Sequence, residues 1–337
     1  MAGNWTGMHN IAEALLEGSE QLLECGHLYR SLGQSELAVD CYLRGGKPEL
    51  ACECAIELND WQTACDLAEK HNIKNVAQTL EQKASKLLQA NLDLQACQLY
   101  RKAGNFLKAA HLLFTVASIE GKKVTPLPLR VKKLYVLAAL LVEQHHDQRK
   151  AQTGRLDTLG VLEGVLREEK KDIESSSMVD SAWRGAEAWH FYILACKQLY
   201  SGYPDSAATT TISLSQFEDL LDPVKIYSLQ ATAAAAARRF GLCSRAFTRL
   251  ESLSTLTEEQ REQYTQLAIK IFQKYKPQDA NQYDRMHKDT KVPTCIVSGR
   301  PLTDCQFWMC SVCRHCAYEQ EVNQLVICPL CHSQILG

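Results

Sequence analysis

Apolar residues recur three and four positions apart through most of the chain, from residue 10 to about residue 273. That spacing places them on one face of an α-helix and leaves polar residues on the opposite face. Ala, Leu, Glu, Gln and Lys are frequent in this stretch and proline is scarce, which favours helix over strand. The pattern therefore predicts an all-α body that fills most of the chain.

Short turn signals interrupt the helical pattern in the first third of the chain. They are Gly33 and the stretches 45–48 (GGKP), 58–60 (LND), 71–72 (HN), 90–91 (AN) and 103–105 (AGN). Helices joined by such short connections are usually antiparallel neighbours, so the rhythm predicts a series of helical hairpins.

Two segments of this region are similar to each other. Residues 28–38 (LYRSLGQSELA) and 99–109 (LYRKAGNFLKA) share Leu, Tyr, Arg, Gly and Ala at matching offsets, 71 residues apart. That separation is about twice the 34-residue tetratricopeptide period. In 38–46 and 96–104, Ala precedes Tyr by four positions, so a small and a large side chain share one helix face. Stacked hairpins bury a continuous core in this way, and we predict a tetratricopeptide-like solenoid in preference to an ordinary helical bundle.

Changes in composition along the chain predict the boundaries between its domains. Residues 147–180 are polar and charge-mixed, and the helical pattern resumes clearly at residue 181. The expected divisions are tetratricopeptide-like repeats over 1–120, a solenoid continuation over 121–275 with a polar insertion near 147–180, a linker over 276–293, and a small terminal domain over 294–337.

Charge and apolar content narrow the functional classes. The formal net charge is −2 and hydrophobic residues make up 46% of the chain, enough for a core. The clustered basic excess of a nucleic-acid-binding protein is missing. No apolar run reaches the roughly 18 residues of a transmembrane helix, and the first ten residues lack the apolar stretch of a signal peptide. We expect protein partners, with no nucleic acid and no transmembrane segment.

Seven of the 15 cysteines fall after residue 290, and the other eight are scattered singly. Two CxxC pairs stand in this tail with fourteen residues between them. Each CxxC turn directs two thiolates at one point, and a β-hairpin between the pairs brings all four together, as tetrahedral zinc requires. A segment this short buries little apolar area, so metal binding would supply folding energy. We predict one structural Zn²⁺ in a β-hairpin domain, held by Cys310, Cys313, Cys328 and Cys331.

Other residues of the tail leave alternatives open. Cys316 can replace Cys310, because Cys313-x2-Cys316 is also a CxxC pair, and Cys295 is a candidate fifth thiol or ligand of a second site. A ubiquitin-ligase RING needs two interleaved zinc sites, for which further candidates are Cys295, Cys305, His315, Cys316 and His332. Their order does not fit, since no CxxC precedes Cys310. Disulfides and a thioredoxin-like redox pair are disfavoured by the cytosolic character of the chain and the missing βαβ pattern.

The sequence contains none of the common catalytic motifs: no Walker loop, no GxGxxG after a strand, no HExxH and no GxSxG. The basic residues between 122 and 133, Lys132 among them, are interpreted as a hydrated loop and the first turn of a helix. Four protein thiolates would also fill the zinc coordination sphere, which makes the ion structural. We therefore predict a scaffold without enzymatic activity.

Several long stretches together carry a family resemblance. These are 127–144 (LPLRVKKLYVLAALLVEQ), 182–200 (AWRGAEAWHFYILACKQLY), 224–247 (VKIYSLQATAAAAARRFGLCSRAF) and the ending QFWMCSVC…CPLCHS. They resemble the C-terminal part of the WD repeat-containing protein 35 family, the intraflagellar transport protein 121 homologues. The match spans essentially the whole chain. Family members carry two WD-repeat propellers before the solenoid, and these residues begin inside the solenoid.

The resemblance implies a non-enzymatic scaffold subunit of intraflagellar transport complex A. Its expected roles are retrograde ciliary transport, cilium assembly and the admission of membrane proteins to the cilium. Expected partners are other complex A subunits and cargo adaptors, in the axoneme, the basal body and the cytoplasm. The family's zinc ligands fall on the four cysteines chosen above, and Cys305 and Cys316 lie outside that pattern. A RING-like ubiquitin ligase with a helical substrate-binding solenoid and a vesicle-coat or tethering scaffold stay as alternatives.

Overall fold

The computed structural model describes residues 5–71, 73, 76–153, 161–277, 292–303 and 306–335. The chain forms two compact units, Met1–Leu112 and Leu113–Gly337. The helices in chain order are α1 Trp5–Ala14, α2 Glu20–Ser31, α3 Ser35–Arg44, α4 Pro48–Glu57, α5 Trp61–His71, α6 Val76–Gln89, α7 Asp93–Lys102, α8 Phe106–Gly121, α9 Pro128–Thr153, α10 Val161–Tyr200, α11 Pro204–Leu214, α12 Pro223–Ala236, α13 Phe240–Ser252 and α14 Glu258–Lys274.

The turns between the short helices lie where the sequence predicted them. Their left-handed residues are Gly33, Gly46, Asn59, Asn91 and Gly104, with φ between 57° and 77°. In the α2–α3 turn the Gln34 amide donates to the Tyr29 carbonyl at 3.0 Å, and in the α7–α8 turn the Asn105 amide donates to the Tyr100 carbonyl at 2.8 Å. These bonds satisfy carbonyls at the helix ends, which is why Gly and Asn recur there. Of the predicted signal at 71–72, residue 72 lies outside the described residues.

The similar segments of the first unit also pack alike. Tyr29 and Tyr100 are buried, as are Ala38 and Ala109 at the matching positions of the following helices. Two scattered cysteines lie at such helix crossings, where the Cys52 thiol donates to the Ala64 carbonyl at 3.4 Å. The Cys97 thiol donates likewise to the carbonyl of Ala109, again twelve residues on. The predicted tetratricopeptide-like hairpins are confirmed.

In the second unit, α9 and α10 form the longest antiparallel pair. Helix α9 begins at Pro128, inside the basic stretch where the sequence predicted the first turn of a helix, and helix covers much of 147–180 as well. Helix α9 runs to Thr153 and α10 begins at Val161, so the helix resumes before residue 181. Charged residues are compatible with a helix wherever its faces meet water, which composition alone does not reveal. Among the described helices, none combines the length and apolar character that a bilayer span requires.

The alanine-rich run of α12 packs closely against its neighbours. Ala231, Ala233 and Ala234 are buried, and the thiol of Cys243 on α13 donates to the Ala231 carbonyl at 3.6 Å. The α12–α13 turn again uses a left-handed residue, Arg238 with φ 57°. The small side chains let α13 approach, so the second unit extends the hairpin arrangement.

The tail forms a small β-hairpin domain, as predicted. Strands β1 Phe307–Met309 and β2 Cys316–Tyr318 pair antiparallel, with Trp308 opposite Ala317. A short helix α15, Glu319–Val322, follows β2. Most of the predicted linker and Cys305 lie outside the described residues, and the expected domain boundaries stay predictions.

Candidate metal centre

The first CxxC pair sits in a tight backbone turn directly after β1. The Arg314 amide donates to the Cys310 carbonyl at 2.9 Å, and the Cys310 amide donates to the His315 carbonyl at 3.0 Å. Arg314 adopts φ 59°, a left-handed conformation that reverses the chain immediately after Cys313. The turn brings both cysteines of the pair to one side of the chain.

The second CxxC pair repeats this geometry. The His332 amide donates to the Cys328 carbonyl at 3.0 Å, and the Cys328 amide donates to the Ser333 carbonyl at 2.8 Å. His332 has φ 63° and directly follows Cys331, the second cysteine of the pair. The two turns are therefore equivalent, each presenting two thiols.

The four thiols of these turns meet in one buried cluster. The sulfur atoms of Cys310, Cys313, Cys328 and Cys331 all lie within 4.8 Å of one another. The Cys310 and Cys331 sulfurs are 3.6 Å apart, and the Cys313 and Cys328 sulfurs are 3.8 Å apart. A tetrahedral zinc with Zn–S near 2.3 Å needs sulfur–sulfur edges of about 3.8 Å. These two distances match that value, so the cluster is compatible with a tetrahedral metal ion.

Thiol protons are shared unevenly within the cluster. Hydrogen bonds to Cys328 and Cys331 raise the pKa of the Cys313 thiol. Hydrogen bonds from Cys313 and Cys328 lower the pKa of the Cys331 thiol, so this sulfur holds negative charge most readily. The arrangement resembles one thiolate that accepts hydrogen bonds from neighbouring thiols. A divalent cation that binds to the four sulfurs displaces the thiol protons.

The alternative ligands lie elsewhere. Cys316 belongs to β2, opposite Met309, and is not in the four-sulfur cluster. The ring of His315 makes a contact of 2.8 Å from Nδ1 to the Cys313 carbonyl, and its Nε2 is 3.6 Å from a Glu187 carboxylate oxygen. Among the described residues, this cluster is the one group of potential ligands close enough for a metal. The described tail thus offers one metal site where a RING needs two.

Cys295 occupies a third turn of the same kind. The Gly299 amide donates to the Cys295 carbonyl, and the Cys295 amide donates to the Arg300 carbonyl, both at 2.8 Å. Gly299 has φ 74°, and Ser298 stands where the other turns have their second cysteine. The Cys295 thiol donates to a Glu321 carboxylate oxygen at 3.0 Å. In this turn a carboxylate takes the thiol's hydrogen bond.

The tail packs on the helices of its own unit through polar contacts with α10 and α11. The buried His190 ring donates from Nε2 to the Ile296 carbonyl at 2.6 Å, and burial lowers the pKa of His190 to about 3, which keeps the ring neutral. The Gln198 side-chain amide donates to the Ser298 carbonyl at 2.8 Å, and the Thr210 hydroxyl donates to the Gln198 oxygen at 2.7 Å. The Cys295 turn is thereby fixed against both helices.

Helix α9 contacts the second CxxC turn through Lys132. The ammonium donates to the Pro329 carbonyl at 2.6 Å, and its nitrogen lies 3.4 Å from Nε2 of His332. Lys132 is only 3% exposed, so the expectation of a hydrated residue is wrong. A signal was present, since Val136 and Ala139, four and seven positions on, are apolar and mark the buried face of the helix. Burial lowers the pKa of Lys132 to about 8.

A cavity of about 670 Å³ lies between α9, α10 and the first CxxC turn. Its walls include Glu143, Asp180, Trp183 and the 311–315 segment. The Trp183 indole donates to Glu143 at 3.2 Å, and burial raises the pKa of this carboxyl. The cavity therefore lies at the interface between the helices and the tail, and acidic and aromatic side chains are among those that line it.

Helical hairpins closed by left-handed turns, followed by a buried four-thiol centre, define a tetratricopeptide-type repeat protein with a terminal metal-binding domain. Family models match in three places: the tetratricopeptide repeats of WD repeat-containing protein 35 over 74–144, the IFT121-like tetratricopeptide repeats over 180–279, and the second zinc finger domain of IFT121 over 293–336. The chain belongs to the WD repeat-containing protein 35, or IFT121, family.

Curated relatives agree with these models. WD repeat-containing protein 35 of Rattus norvegicus is 44% identical over 99% of this chain, that of Mus musculus 43%, and that of Homo sapiens 44%, each also over 99%. The chain spans 29% of the length of each relative. The zinc-finger match and the buried thiols together make a metal-binding domain the consistent interpretation of the tail.

Proposed function

We propose that the chain acts as a non-enzymatic scaffold within intraflagellar transport complex A. Its roles would be in retrograde ciliary transport, cilium assembly and the admission of membrane proteins to the cilium. The observation that carries the proposal is the 44% identity over 99% of the chain, which includes the repeats and the metal-binding tail alike. Stacked hairpins offer extended surfaces for partner proteins, as a scaffold requires.

The proposal includes one structural Zn²⁺ held by the four clustered cysteines. Four thiolates suit zinc, and complete coordination by protein leaves no position for a substrate or a reactive water. The proposed partners are other complex A subunits and adaptors for ciliary membrane proteins, met at the axoneme, the basal body and in the cytoplasm.

An affinity purification of the tagged chain from ciliated cells, analysed by mass spectrometry, tests the scaffold role. Variants would lack residues 1–120 or 293–337, or carry Ser at Cys310, Cys313, Cys328 and Cys331. Cys316→Ser is the matched control, because this cysteine lies in the same domain but outside the cluster. Complex A subunits should accompany the parent and the control and be depleted in the variants. Unchanged recovery with both deletions would contradict the proposal.

A ubiquitin ligase is the second candidate, favoured only by the metal-binding tail beside a helical repeat region. Metal analysis of the purified chain separates the two, since a RING requires two zinc ions per chain and the scaffold proposal one. Recovery of ubiquitin-conjugating enzymes would favour the ligase, and recovery of vesicle-coat proteins would favour a coat or tethering scaffold.

A further inference from the structure

Lys132 is a buried ammonium group that pairs with no carboxylate among the residues that the structure describes. Within the described part of the chain, no Asp or Glu forms an ion pair with it, and its hydrogen-bond contacts are the Pro329 carbonyl and His332. The charged or ionisable groups that act on it most strongly are Cys328, Cys331 and Cys313, together with the like charge of Lys133. A buried charge without compensation is unfavourable, so this lysine needs an anion nearby.

A metal-bound thiolate cluster is such an anion. Four thiolates carry a charge of −4 and a divalent ion +2, so the centre as a whole carries −2. The Lys132 ammonium reaches the backbone of the turn that holds two of these thiolates, from a helix nearly 200 residues away in sequence. The positive group therefore lies beside a turn that carries two of the four thiolates.

We propose that Lys132 is a positioning residue that couples metal binding to the docking of the tail on α9. The metal–thiolate centre acts as the counter-ion of the ammonium group, and the ammonium group holds the second CxxC turn in place. This inference rests on the proposed metal site. It assigns a second role to the metal, which fixes the tail to the helical repeats as well as folding it.

The coupling makes the contact between the second CxxC turn and α9 depend on the metal. Without metal, the compensating charge falls to that of a single thiolate among donating thiols, and release of the second turn into water becomes more favourable. The charge of Lys132 thus makes docking respond to metal occupancy more strongly than apolar packing alone would. With a neutral residue in its place, the tail would stay in contact with α9, and its docking would depend less strongly on the metal.

A thermodynamic cycle tests the coupling. Amide hydrogen exchange of residues 328–335 is measured with zinc and after chelation, in the parent and in Lys132→Met. In the parent, zinc should slow exchange strongly. In Lys132→Met this zinc-dependent slowing should be smaller, by up to the 10- to 100-fold that losing a partner outside the ligand shell typically costs in metal affinity. Lys133→Met is the matched control, since Lys133 is exposed, and it should behave as the parent.

A second variant separates charge from hydrogen bonding. Lys132→Gln keeps a donor for the Pro329 carbonyl but is neutral, so it should lose the coupling as Lys132→Met does. Two outcomes would overturn the proposal. The substitution Lys132→Met could change the exchange rates by the same factor with zinc as after chelation, or Lys132→Gln could show the same zinc-dependent slowing as the parent. Either outcome indicates an effect of packing or hydrogen bonding without an effect of charge. Exchange in α12–α14 reports whether a variant has disturbed the fold more widely.

The metal site and the coupling can fail separately. If the parent retains no zinc per chain, the proposed metal site is wrong and the coupling falls with it. If the parent retains one zinc and Lys132→Met shows the same zinc-dependent protection, the metal site stands and the role of Lys132 is refuted. The rate of zinc transfer to a chelator gives an independent readout, and it should rise 10- to 100-fold in Lys132→Met.

Discussion

Replacing Gly299 by alanine should detach the Cys295 turn from α11. Gly299 has φ 74°, and a Cβ atom there would lie 2.0 Å from the Thr210 hydroxyl oxygen and 2.8 Å from the Thr210 Cβ. Both separations are far shorter than van der Waals contact. Thr210 is itself fixed by its hydrogen bond to Gln198, so the turn has to move away from the helix.

The expected cost has two parts. A left-handed conformation costs an L-residue about 1–2 kcal/mol, and overpacking of a buried contact costs typically 1–3 kcal/mol. The sum is about 2–5 kcal/mol in the local opening of the turn. Gly202→Ala is the matched control, because Gly202 has φ 81° but no atom within 4 Å of its added Cβ, and it should cost only about 1–2 kcal/mol.

Hydrogen exchange measures both costs at protected amides. For Gly299→Ala these are the amides of Cys295 and Leu302, and for Gly202→Ala the amide of Tyr203, each bonded to a backbone carbonyl. Adding Thr210→Ala should recover part of the Gly299→Ala cost by removing the hydroxyl and the methyl group. If Gly299→Ala proves no more costly than Gly202→Ala, the close contact with α11 does not exist in solution.

Three further predictions concern the metal, a buried histidine and a helix crossing. Cys328→Ser should abolish zinc retention and Cys316→Ser should not, as measured by metal analysis after gel filtration. Burial holds the pKa of His190 near 3, against 6.5 ordinarily, so the folded chain binds fewer protons than the unfolded chain below pH 6.5. Stability should therefore fall by up to about 1.4 kcal/mol per pH unit from pH 6.5 towards pH 3. The fall should be shallower in His190→Gln in paired denaturant titrations, and equal slopes would argue against a neutral buried ring. In Gly185→Ala the new Cβ would lie 2.7 Å from the Tyr135 ring, and overpacking should cost about 1–3 kcal/mol, seen as a lower thermal midpoint. An unchanged midpoint would mean that α9 and α10 cross less closely.

The helical hairpins were predictable because their signals are local. Gly33 and Gly104 mark turns at which only a few residues decide the backbone, and the buried Tyr29 and Tyr100 follow the apolar period of their own helices. Near 147–180 the sequence pattern placed the clear resumption of helix at residue 181, whereas α10 begins at Val161. Polar residues are typical of segments in contact with water, and both solvent-exposed helices and loops are rich in them.

The sequence by itself determined the two CxxC turns and the helices that precede them, since both depend on residues within a few positions of one another. Only the tertiary structure decided the surroundings of the tail: the burial of Lys132 and His190, and the carboxylate that takes the hydrogen bond of Cys295. Lys132 and Pro329 are 197 residues apart in the chain, and His190 and Ile296 are 106 apart. Such pairs meet only after the intervening helices have packed, because the desolvation that makes their partners necessary exists only in the folded state.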